Sequence, residues 1–166
     1  MREVKLTRGY AAFVDDADYE RVMAVGQWNA QVERSGNVYA VRSIKVEGKR
    51  AASQLMHRFI LGITDSKVRV DHKNRYPLDN RRNNLRIATP SQNAANSRAR
   101  GGTSRFAGVS WHMRCGKWRA RIRPNGSTIH LGLFANELDA ALAYDVAARK
   151  HFGEFAKCNL GQLTGK

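Results

Sequence analysis

The stretch "VRVDHKNRYPLDNRRNNLRIATPSQNAANS", residues 68–97, carries the strongest pattern in the chain: six asparagines around a single histidine. The letters KVRV predict a strand that ends at Asp71 and His72, and NLRIA predicts a second strand. Thr89 suits a helix N-cap, and Gln92 completes a capping box with it. The stretch therefore predicts a strand, a long polar loop, a strand and a helix, in that order.

Two neighbouring residues in this stretch have chemistry suited to phosphodiester hydrolysis. His72 suits a general base, because the pKa of imidazole lies near neutrality. Asp71 points to the opposite face of a strand, so the two side chains cannot form a simple hydrogen-bonded pair. The Asp71 carboxylate is better placed to hold a hard metal ion, which takes oxygen ligands. Asn93 on the predicted helix is the candidate second ligand, and Asn96 is the alternative.

The spacing of these residues resembles the HNH (ββα-metal) nuclease motif, in the His-Asn-Asn form of phage and intron-encoded homing endonucleases. Asn84 lies twelve residues beyond His72, and Asn93 lies twenty-one residues beyond it. The flanking letters LMHRFILG and LDNRRNNLRIATPSQN also match, so the resemblance covers about residues 53–97. A cluster of turn-forming asparagines around an incidental histidine is the alternative interpretation, but the spacing and the cap favour the nuclease motif.

The resemblance implies a role for each matching residue. His72 is implied as the general base, and Asp71 and Asn93 as ligands of one Mg²⁺, for which Mn²⁺ would substitute; no zinc is expected. Asn84 is implied to brace the loop between the strands and to orient His72. The other amides of the loop, Asn80 and Asn83, are interpreted as structural or turn-forming.

The residues before this stretch predict a small layer of strands and helices. The predicted elements are a strand at 10–14, a helix at 15–25, a hairpin around 34–37 and a helix at 53–62 that ends at Gly62. His57 lies on the last of these helices. On an otherwise apolar helix we interpret it as a core or interface histidine, outside the site.

The charge of the chain indicates a nucleic-acid partner. There are 29 Lys and Arg against 14 Asp and Glu, a net charge of +15 at pH 7. No acidic residue lies between Asp79 and Glu137, whereas eleven Lys and Arg do. Such a block suits phosphate binding with release of counterions. A solvated basic face or a membrane-surface patch is the alternative interpretation.

Other global features restrict the class of protein. No apolar run of 18 residues and no signal-peptide pattern is present, so we expect a protein without membrane association, in the cytoplasm of a bacterial host if it is phage-encoded. Cys115 and Cys158 are too few for a Cys-rich zinc site or a disulfide framework. We expect both to be reduced.

The carboxy-terminal third predicts three strands and one helix. The strands are predicted at 106–112, 117–123 and 127–134, and the helix follows Asn136 as N-cap. In KWRARIR (117–123), alternation places Trp118, Ala120 and Ile122 on one face. The other face carries Lys117, Arg119, Arg121 and Arg123. We expect these cations to contact DNA, together with Arg114, His130 and Trp111.

This segment resembles the plant ethylene-response-factor (Apetala-type) DNA-binding domain, a three-stranded sheet on one helix. The matching letters are FAGVSW, GKWRARI, HLGLF, DAALAYDVAARKHFG and AKCNL, over about residues 105–160. Arg121 stands where such plant domains commonly place an acidic residue. The resemblance therefore implies double-stranded DNA as the partner, but not the same target sequence.

The two resemblances together predict an α+β protein with two domains. Residues 1–97 would form an HNH nuclease domain with its motif at 68–97, residues 98–104 a basic linker, and residues 105–166 an Apetala-type DNA-binding domain. The expected activity is that of a homing or nicking endonuclease. A DNA-binding regulator without nuclease activity and an RNA-directed nuclease are the alternatives. We expect a monomer, with a dimer as the alternative.

Overall fold

The computed structural model of the chain describes residues 1–44, 52–96 and 102–161. The chain divides into two compact units, Met1–Ala88 and Thr89–Lys166. Each unit combines helices with small antiparallel sheets, so the predicted α+β class is confirmed. Most of the predicted linker, residues 98–104, lies outside the described residues, and the predicted domain bounds stay a prediction.

The first unit contains three small sheets and two helices. In chain order the strands are β1 (Arg2–Lys5), β2 (Ala11–Val14), β3 (Asn29–Val32), β4 (Val38–Ile44), β5 (Ala52–Leu55), β6 (Arg69–His72) and β7 (Leu85–Ala88). The helices are α1 (Asp16–Ala24) and α2 (Met56–Leu61). Strand β1 pairs with β2, β4 pairs with both β3 and β5, and β6 pairs with β7, all of them antiparallel.

Most of the predicted elements of this unit are confirmed, and one is corrected. The helix predicted at 53–62 begins only at Met56. The residues before it form β5, in which Leu55 pairs with Val41 of β4. Sheet pairing therefore outcompetes the helical spacing of the apolar residues in this part of the chain. The predicted end of the helix is confirmed, because Gly62 caps α2 with a positive φ of 69°.

The core of the first unit forms around Trp28, which is 1% exposed. Its indole Nε1 donates to the carbonyl of Val22 at 2.9 Å, so its polar atom is satisfied inside the core. Met56 and Ile60 of α2 are buried in the same cluster, and so is Leu85 of β7. The β6–β7 hairpin is thereby attached to the body of the unit through apolar contacts.

A buried carboxylate also connects α1 to the loop before β7. Asp18 is 2% exposed, and Arg82 donates to both of its oxygens, from Nε at 2.7 Å and from Nη2 at 2.8 Å. Arg21 donates to the same carboxylate at 2.8 Å, and both arginines donate to the carbonyl of Ile60. We call these four residues the Asp18 clasp. It holds together α1, α2 and the loop that carries the asparagines.

The second unit contains three strands and two helices. They are α3 (Pro90–Ala95), β8 (Val109–His112), β9 (Lys117–Ile122), β10 (Ile129–Phe134) and α4 (Glu137–Phe152). The sheet is an antiparallel meander in the order β10-β9-β8, formed by the three predicted strands. Asn136 accepts from the backbone of Asp139 and caps α4, which confirms the predicted cap.

Small residues bring α4 close to this sheet. Ala140 and Ala141 of α4 are fully buried in one cluster with Ala120 of β9. At the edge of the contact, Gly108 has φ +73°, and a side chain there would overlap the ring of Tyr144. The sheet and helix therefore pack at a distance that larger side chains would not permit.

Helix α3 packs within the second unit. Its N-cap Thr89 forms the predicted capping box with Gln92. Ser91 accepts a hydrogen bond at 2.9 Å from the backbone of Asn125, in the turn between β9 and β10. The six-residue helix is thus fixed at its cap and through Ser91. In the described part of the chain, no helix has the length and apolar character needed to cross a bilayer.

Candidate active site and nucleic-acid interface

The β6–β7 hairpin places Asp71 and His72 in separate environments. In its register Asp71 lies opposite Arg86, and His72 lies opposite Leu85. Neighbouring strand residues point to opposite faces, so the two side chains have different neighbours. Both residues are buried, with 6% of each exposed. The end of β6 therefore holds a carboxylate and an imidazole, both largely enclosed.

The Asp71 carboxylate forms a buried ion pair with Arg86. The Nε and Nη2 atoms of Arg86 lie 2.8 and 2.7 Å from Oδ2 of Asp71. The two side chains are only 7% and 10% exposed. A guanidinium that donates through two nitrogens restricts the orientation of the carboxylate. The sequence analysis missed Arg86, which the register of the two strands would have identified as the partner of Asp71.

The His72 ring lies against Asn80, with Nε2 3.4 Å from the amide Oδ1. Burial lowers the pKa of His72 below its ordinary value, whereas the hydrogen bond with Asn80 and the charges of Asp71 and Asp79 oppose this shift. A histidine with a lowered pKa is neutral at pH 7. The neutral imidazole is the form that can accept a proton.

Two further aromatic rings enclose His72. The ring of His57 meets it edge-on, with centroids 5.1 Å apart and an interplanar angle of 89°. Tyr39 of β4 lies 6.1 Å from His57 and 6.4 Å from His72, between ring centroids. Burial and the neighbouring charges of His72 and Arg58 lower the pKa of His57 to about 3. The sequence analysis left His57 outside the site, and the structure places it against the proposed base.

Asn84 closes the loop between β6 and β7. Its Oδ1 accepts from the backbone of Asn74 at 3.0 Å, and its Nδ2 donates to the carbonyl of Asp79 at 2.7 Å. These contacts brace the loop, and the role of Asn84 in orienting His72 stays a prediction. The amide that the structure places against His72 is that of Asn80, a residue that the sequence analysis interpreted as structural.

The same loop is anchored to β2 by backbone hydrogen bonds and contains an ion pair between Arg81 and Asp79. The backbone of Phe13 donates to Leu78 at 2.7 Å and accepts from Asn80 at 2.8 Å. Arg81 donates to both oxygens of Asp79, at 2.8 and 2.7 Å. This hydrogen-bonded arginine holds the pKa of Asp79 below its usual value. The loop beside His72 is therefore a fixed scaffold.

The two candidate amide ligands lie on or next to α3, in the second unit. The backbone of Asn93 donates to Thr89 at 2.9 Å, and Asn96 is the C-cap residue, 7% exposed. The structure thus brings Asp71, His72 and Asn84 into one unit, and Asn93 and Asn96 belong to the other. Both amides, and the choice between them, stay predictions.

The donor chemistry at the end of β6 fits a hard divalent ion. Within the described ranges, no three His, Cys, Asp or Glu side chains form a group that could hold a metal. Mg²⁺ commonly uses one or two protein oxygen ligands, with water and substrate phosphate at its other positions. The Asp71 carboxylate, restricted in orientation by Arg86, meets that requirement for one ligand.

The sheet of the second unit presents the predicted cations on the face away from α4. Lys117, Arg121 and Arg123 are exposed, and Arg119 is half-buried. His130 of β10 lies directly opposite Arg121 and so shares its face. Arg114 is exposed in the turn between β8 and β9. Six of the seven residues predicted to contact DNA therefore lie on this face or in its turns.

Trp111 lies elsewhere, which corrects its predicted position. It is the cross-strand partner of Trp118, and the two rings pack edge-on with centroids 5.1 Å apart. Its side chain therefore points to the face that covers α4, opposite the cations. We call the face that carries Lys117, Arg119 and Arg121 the cation face. The neighbouring His112 points to this face, because it is the cross-strand partner of Lys117. The pairing register decides this alternation, and the sequence analysis did not fix it.

One cation on this face has a donor without a partner. Arg119 donates from Nη2 to Ser110 at 3.3 Å, but its buried Nε has no hydrogen-bond partner among the described residues. The Nδ1 atom of His112 is in the same condition. Burial of a polar atom without a hydrogen bond costs free energy of folding.

Comparison with known proteins shows a similarity to HNH endonucleases. Residues 50–95 match the family model described as HNH endonuclease. An uncharacterised HNH endonuclease of Acanthamoeba polyphaga mimivirus is 33% identical over 109 residues, which cover 63% of this chain and 56% of the viral protein. The chain thus spans about half the length of this relative. Both matches support nuclease function in general.

The carboxy-terminal part is similar to plant proteins. Dehydration-responsive element-binding protein 2C of Arabidopsis thaliana is 44% identical over 55 residues, or 32% of this chain and 16% of that protein. APETALA2-like protein 2 of Oryza sativa is 45% identical over 60 residues, or 35% of this chain and 14% of that protein. The chain is therefore similar to HNH endonucleases, with residues 50–95 matching the family model, and its carboxy-terminal part is similar to AP2-type transcription factors.

Proposed function

We propose that this protein is a DNA endonuclease that hydrolyses a phosphodiester bond with His72 as general base. The observation that carries the proposal is the enclosed imidazole of His72, with a lowered pKa, which follows the buried Asp71 in the segment that matches the HNH endonuclease model. The carboxy-terminal part would position the cut, as in homing or nicking endonucleases.

In the proposed reaction His72 takes a proton from the attacking water. The water oxygen bonds to phosphorus as the bond to the 3′ oxygen breaks. The departing 3′ oxygen takes a proton from solvent, so the products are a 5′-phosphate and a 3′-hydroxyl. General-base assistance of this kind contributes about 10²- to 10⁴-fold to the rate. The rigid loop from Asn74 to Asn84 keeps the imidazole in place during the proton transfer.

Asp71 and Asn93 would hold one Mg²⁺, for which Mn²⁺ would substitute, and Asn96 is the alternative to Asn93. When bound, the ion offsets negative charge on the phosphorane and on the leaving oxygen. Arg86 keeps the Asp71 carboxylate in one orientation through its two donated hydrogen bonds. An oxygen-donor set of this kind favours a hard ion over zinc.

The cation face of the sheet supplies the proposed contacts with double-stranded DNA. Arginine can read guanine edges in the major groove, and lysine or arginine can also neutralise phosphates. The similarity to AP2-type transcription factors supports this role for the carboxy-terminal part. Lys117, Arg119 and Arg121 are the central contacts of the proposal, with His112 added from the structure.

The test is a nicking assay on supercoiled plasmid with Mg²⁺ or Mn²⁺. The wild-type protein is expected to nick the plasmid, and His72→Ala to bind DNA equally well while cleavage falls by at least about 10²-fold. Asn83→Ala is the matched control, because Asn83 is exposed in the same loop. It is expected to cut at the wild-type rate.

Three outcomes would contradict the proposal. Binding without nicking under either metal would favour the regulator, and cleavage of single-stranded RNA in preference to duplex DNA would favour the RNA-directed nuclease. Full cleavage by His72→Ala would remove His72 as the base. Selection of bound and cut sites from a random duplex library would then define the target.

A further inference from the structure

Asn80 is the most deeply buried amide in the molecule's described loops, with 1% of its surface exposed. Its backbone donates to the carbonyl of Phe13 at 2.8 Å, which fixes its main chain to β2. Its side-chain Nδ2 donates to the carbonyl of Leu78 at 3.2 Å. Because a carbonyl oxygen only accepts, this second bond fixes which end of the amide is the nitrogen.

The orientation of the amide determines the protonation pattern of the neighbouring imidazole. With Nδ2 directed to Leu78, the Asn80 oxygen Oδ1 faces Nε2 of His72 at 3.4 Å. An amide oxygen cannot donate, so the hydrogen of this contact belongs to Nε2. In a neutral imidazole with the hydrogen on Nε2, Nδ1 is the nitrogen that carries the basic lone pair.

Asn84 does not take the place of Asn80 beside His72, because both ends of the Asn84 amide are hydrogen-bonded within the loop. Its oxygen accepts from the backbone of Asn74, and its nitrogen donates to the carbonyl of Asp79. The ring of His57 packs edge-on against one side of His72 and restricts rotation of the imidazole. The hydrogen bond to Asn80 then distinguishes the two nitrogens of a ring whose plane is already constrained.

We propose that Asn80 is a positioning residue for His72, which holds the proton on Nε2 and thereby makes Nδ1 the atom that takes the proton from the attacking water. The inference rests on the proposed function for its catalytic meaning. The hydrogen-bond arrangement itself is a property of the folded protein and can be measured without any cleavage. Asn80 touches neither substrate nor reacting atoms, and acts through the imidazole.

The first measurement is the nitrogen spectrum of the full-length protein labelled with ¹⁵N-histidine. Long-range proton-nitrogen correlations distinguish the two neutral tautomers, and His72→Gln assigns the signal. The wild-type His72 is expected to carry its hydrogen on Nε2. A hydrogen on Nδ1 would overturn the inference, whether or not the protein cuts DNA. Absence of nicking with the Nε2 tautomer present would contradict only the proposed nuclease.

The second measurement compares three variants. Thermal unfolding first shows whether each variant is folded. Asn80→Leu removes the acceptor and is expected to lower kcat by about 10- to 100-fold with little change in KM, and to produce a mixture of His72 tautomers. Asn80→Asp keeps an acceptor oxygen toward Nε2 but loses the donor to Leu78 and adds a negative charge beside the ring. It is expected to retain the Nε2 tautomer, to raise the pKa of His72 and to recover most of kcat at alkaline pH. Asn83→Ala, on the exposed side of the loop, is expected to change neither.

A merely structural Asn80 would give a different pattern. In that case both Asn80 variants would lower stability to a similar degree without changing the tautomer of His72 or kcat in the folded fraction. If Asn80→Leu does not fold, Asn80→Asp still decides: a folded Asp variant with the hydrogen on Nδ1 and full kcat would refute the positioning role.

Discussion

At the scale of single residues, the site depends on imidazoles that the protein keeps neutral. His72 and His57 are each 6% exposed, and burial is the largest effect that lowers the pKa of both. A neutral His57 also avoids placing a positive charge 5.1 Å from the His72 ring. The enclosed pair therefore links base chemistry to a measurable property, the dependence of stability on pH.

The free energy of unfolding is expected to fall as the pH drops below 6.5. The pKa of His57 is about 3 in the folded protein, against an ordinary value near 6.5, so the unfolded chain binds the proton more tightly between these values. The stability from a neutral His57 is complete above pH 6.5 and is lost toward pH 3, by about 1.4 kcal/mol per pH unit. Buried His72 acts in the same direction.

Urea unfolding from pH 7 to pH 4.5 would measure this effect. His57→Phe keeps a ring in the core and is expected to give a shallower decline than the wild type. His151→Gln, at an exposed histidine near the end of α4, serves as the control and is expected to retain the wild-type slope. Equal slopes for His57→Phe and the wild type would contradict a buried, neutral His57.

At the scale of elements, the Asp18 clasp holds the asparagine loop against α1 and α2. The hydrogen bond from Arg82 is the largest effect that lowers the pKa of Asp18, with Arg21 acting in the same direction. Asp18→Asn is expected to cost about 2–3 kcal/mol of stability, below the figure for a fully buried pair because the arginines are about half exposed. Urea unfolding at pH 7 measures it.

A surface ion pair provides the control for this variant. Arg2 and Glu20 lie 3.1 Å apart, but their side chains are 48% and 82% exposed. Glu20→Gln is therefore expected to change stability little. A similar loss for both variants would show that the clasp contributes no more than an ordinary surface pair. A large loss for Asp18→Asn alone would support its role in fixing the loop.

The elements also show how far the sequence can be interpreted by itself. The capping box at Thr89, the stop at Gly62 and the alternation in β9 depend on neighbours within a few residues, and these predictions are confirmed. The strand β5 and the position of Trp111 depend on which strand pairs with which, and local spacing does not contain that information.

The same distinction applies within the candidate site. The spacing of the motif predicted His72 as the base and Asn84 as the brace of the loop, and both residues belong to one stretch of chain. The contacts of His72 with His57 and Tyr39 join α2, β4 and β6, which are distant in sequence. Among several similar amides, only the folded loop distinguishes Asn80, because its backbone is anchored to Phe13 of β2.

At the scale of the whole molecule, the net charge of +15 predicts strongly salt-dependent binding to DNA. Arg121→Ala removes an exposed charge from the cation face. It is expected to weaken binding by about 1–3 kcal/mol if Arg121 reads a base, and to reduce the slope of log K against log salt by about 1 if it contacts a phosphate. Fluorescence anisotropy over a series of salt concentrations measures both quantities.

Lys150→Ala is the matched control for the loss of one charge. Lys150 is exposed on α4, away from the cation face. It is expected to leave the salt slope and the binding free energy close to those of the wild type. Identical effects of the two substitutions would mean that the protein binds DNA through its overall charge, without a dedicated face.

The short helix α3 has a consequence for how such genes can recombine. It carries Asn93, the predicted metal ligand, while its Ser91 accepts a hydrogen bond from the β9–β10 turn of the second unit. A crossover after α3 would pair Ser91 with a foreign turn, and a crossover before Thr89 would join β7 to a foreign helix. Exchange of the carboxy-terminal part is therefore expected to keep this contact only where the new turn places a backbone N–H opposite Ser91.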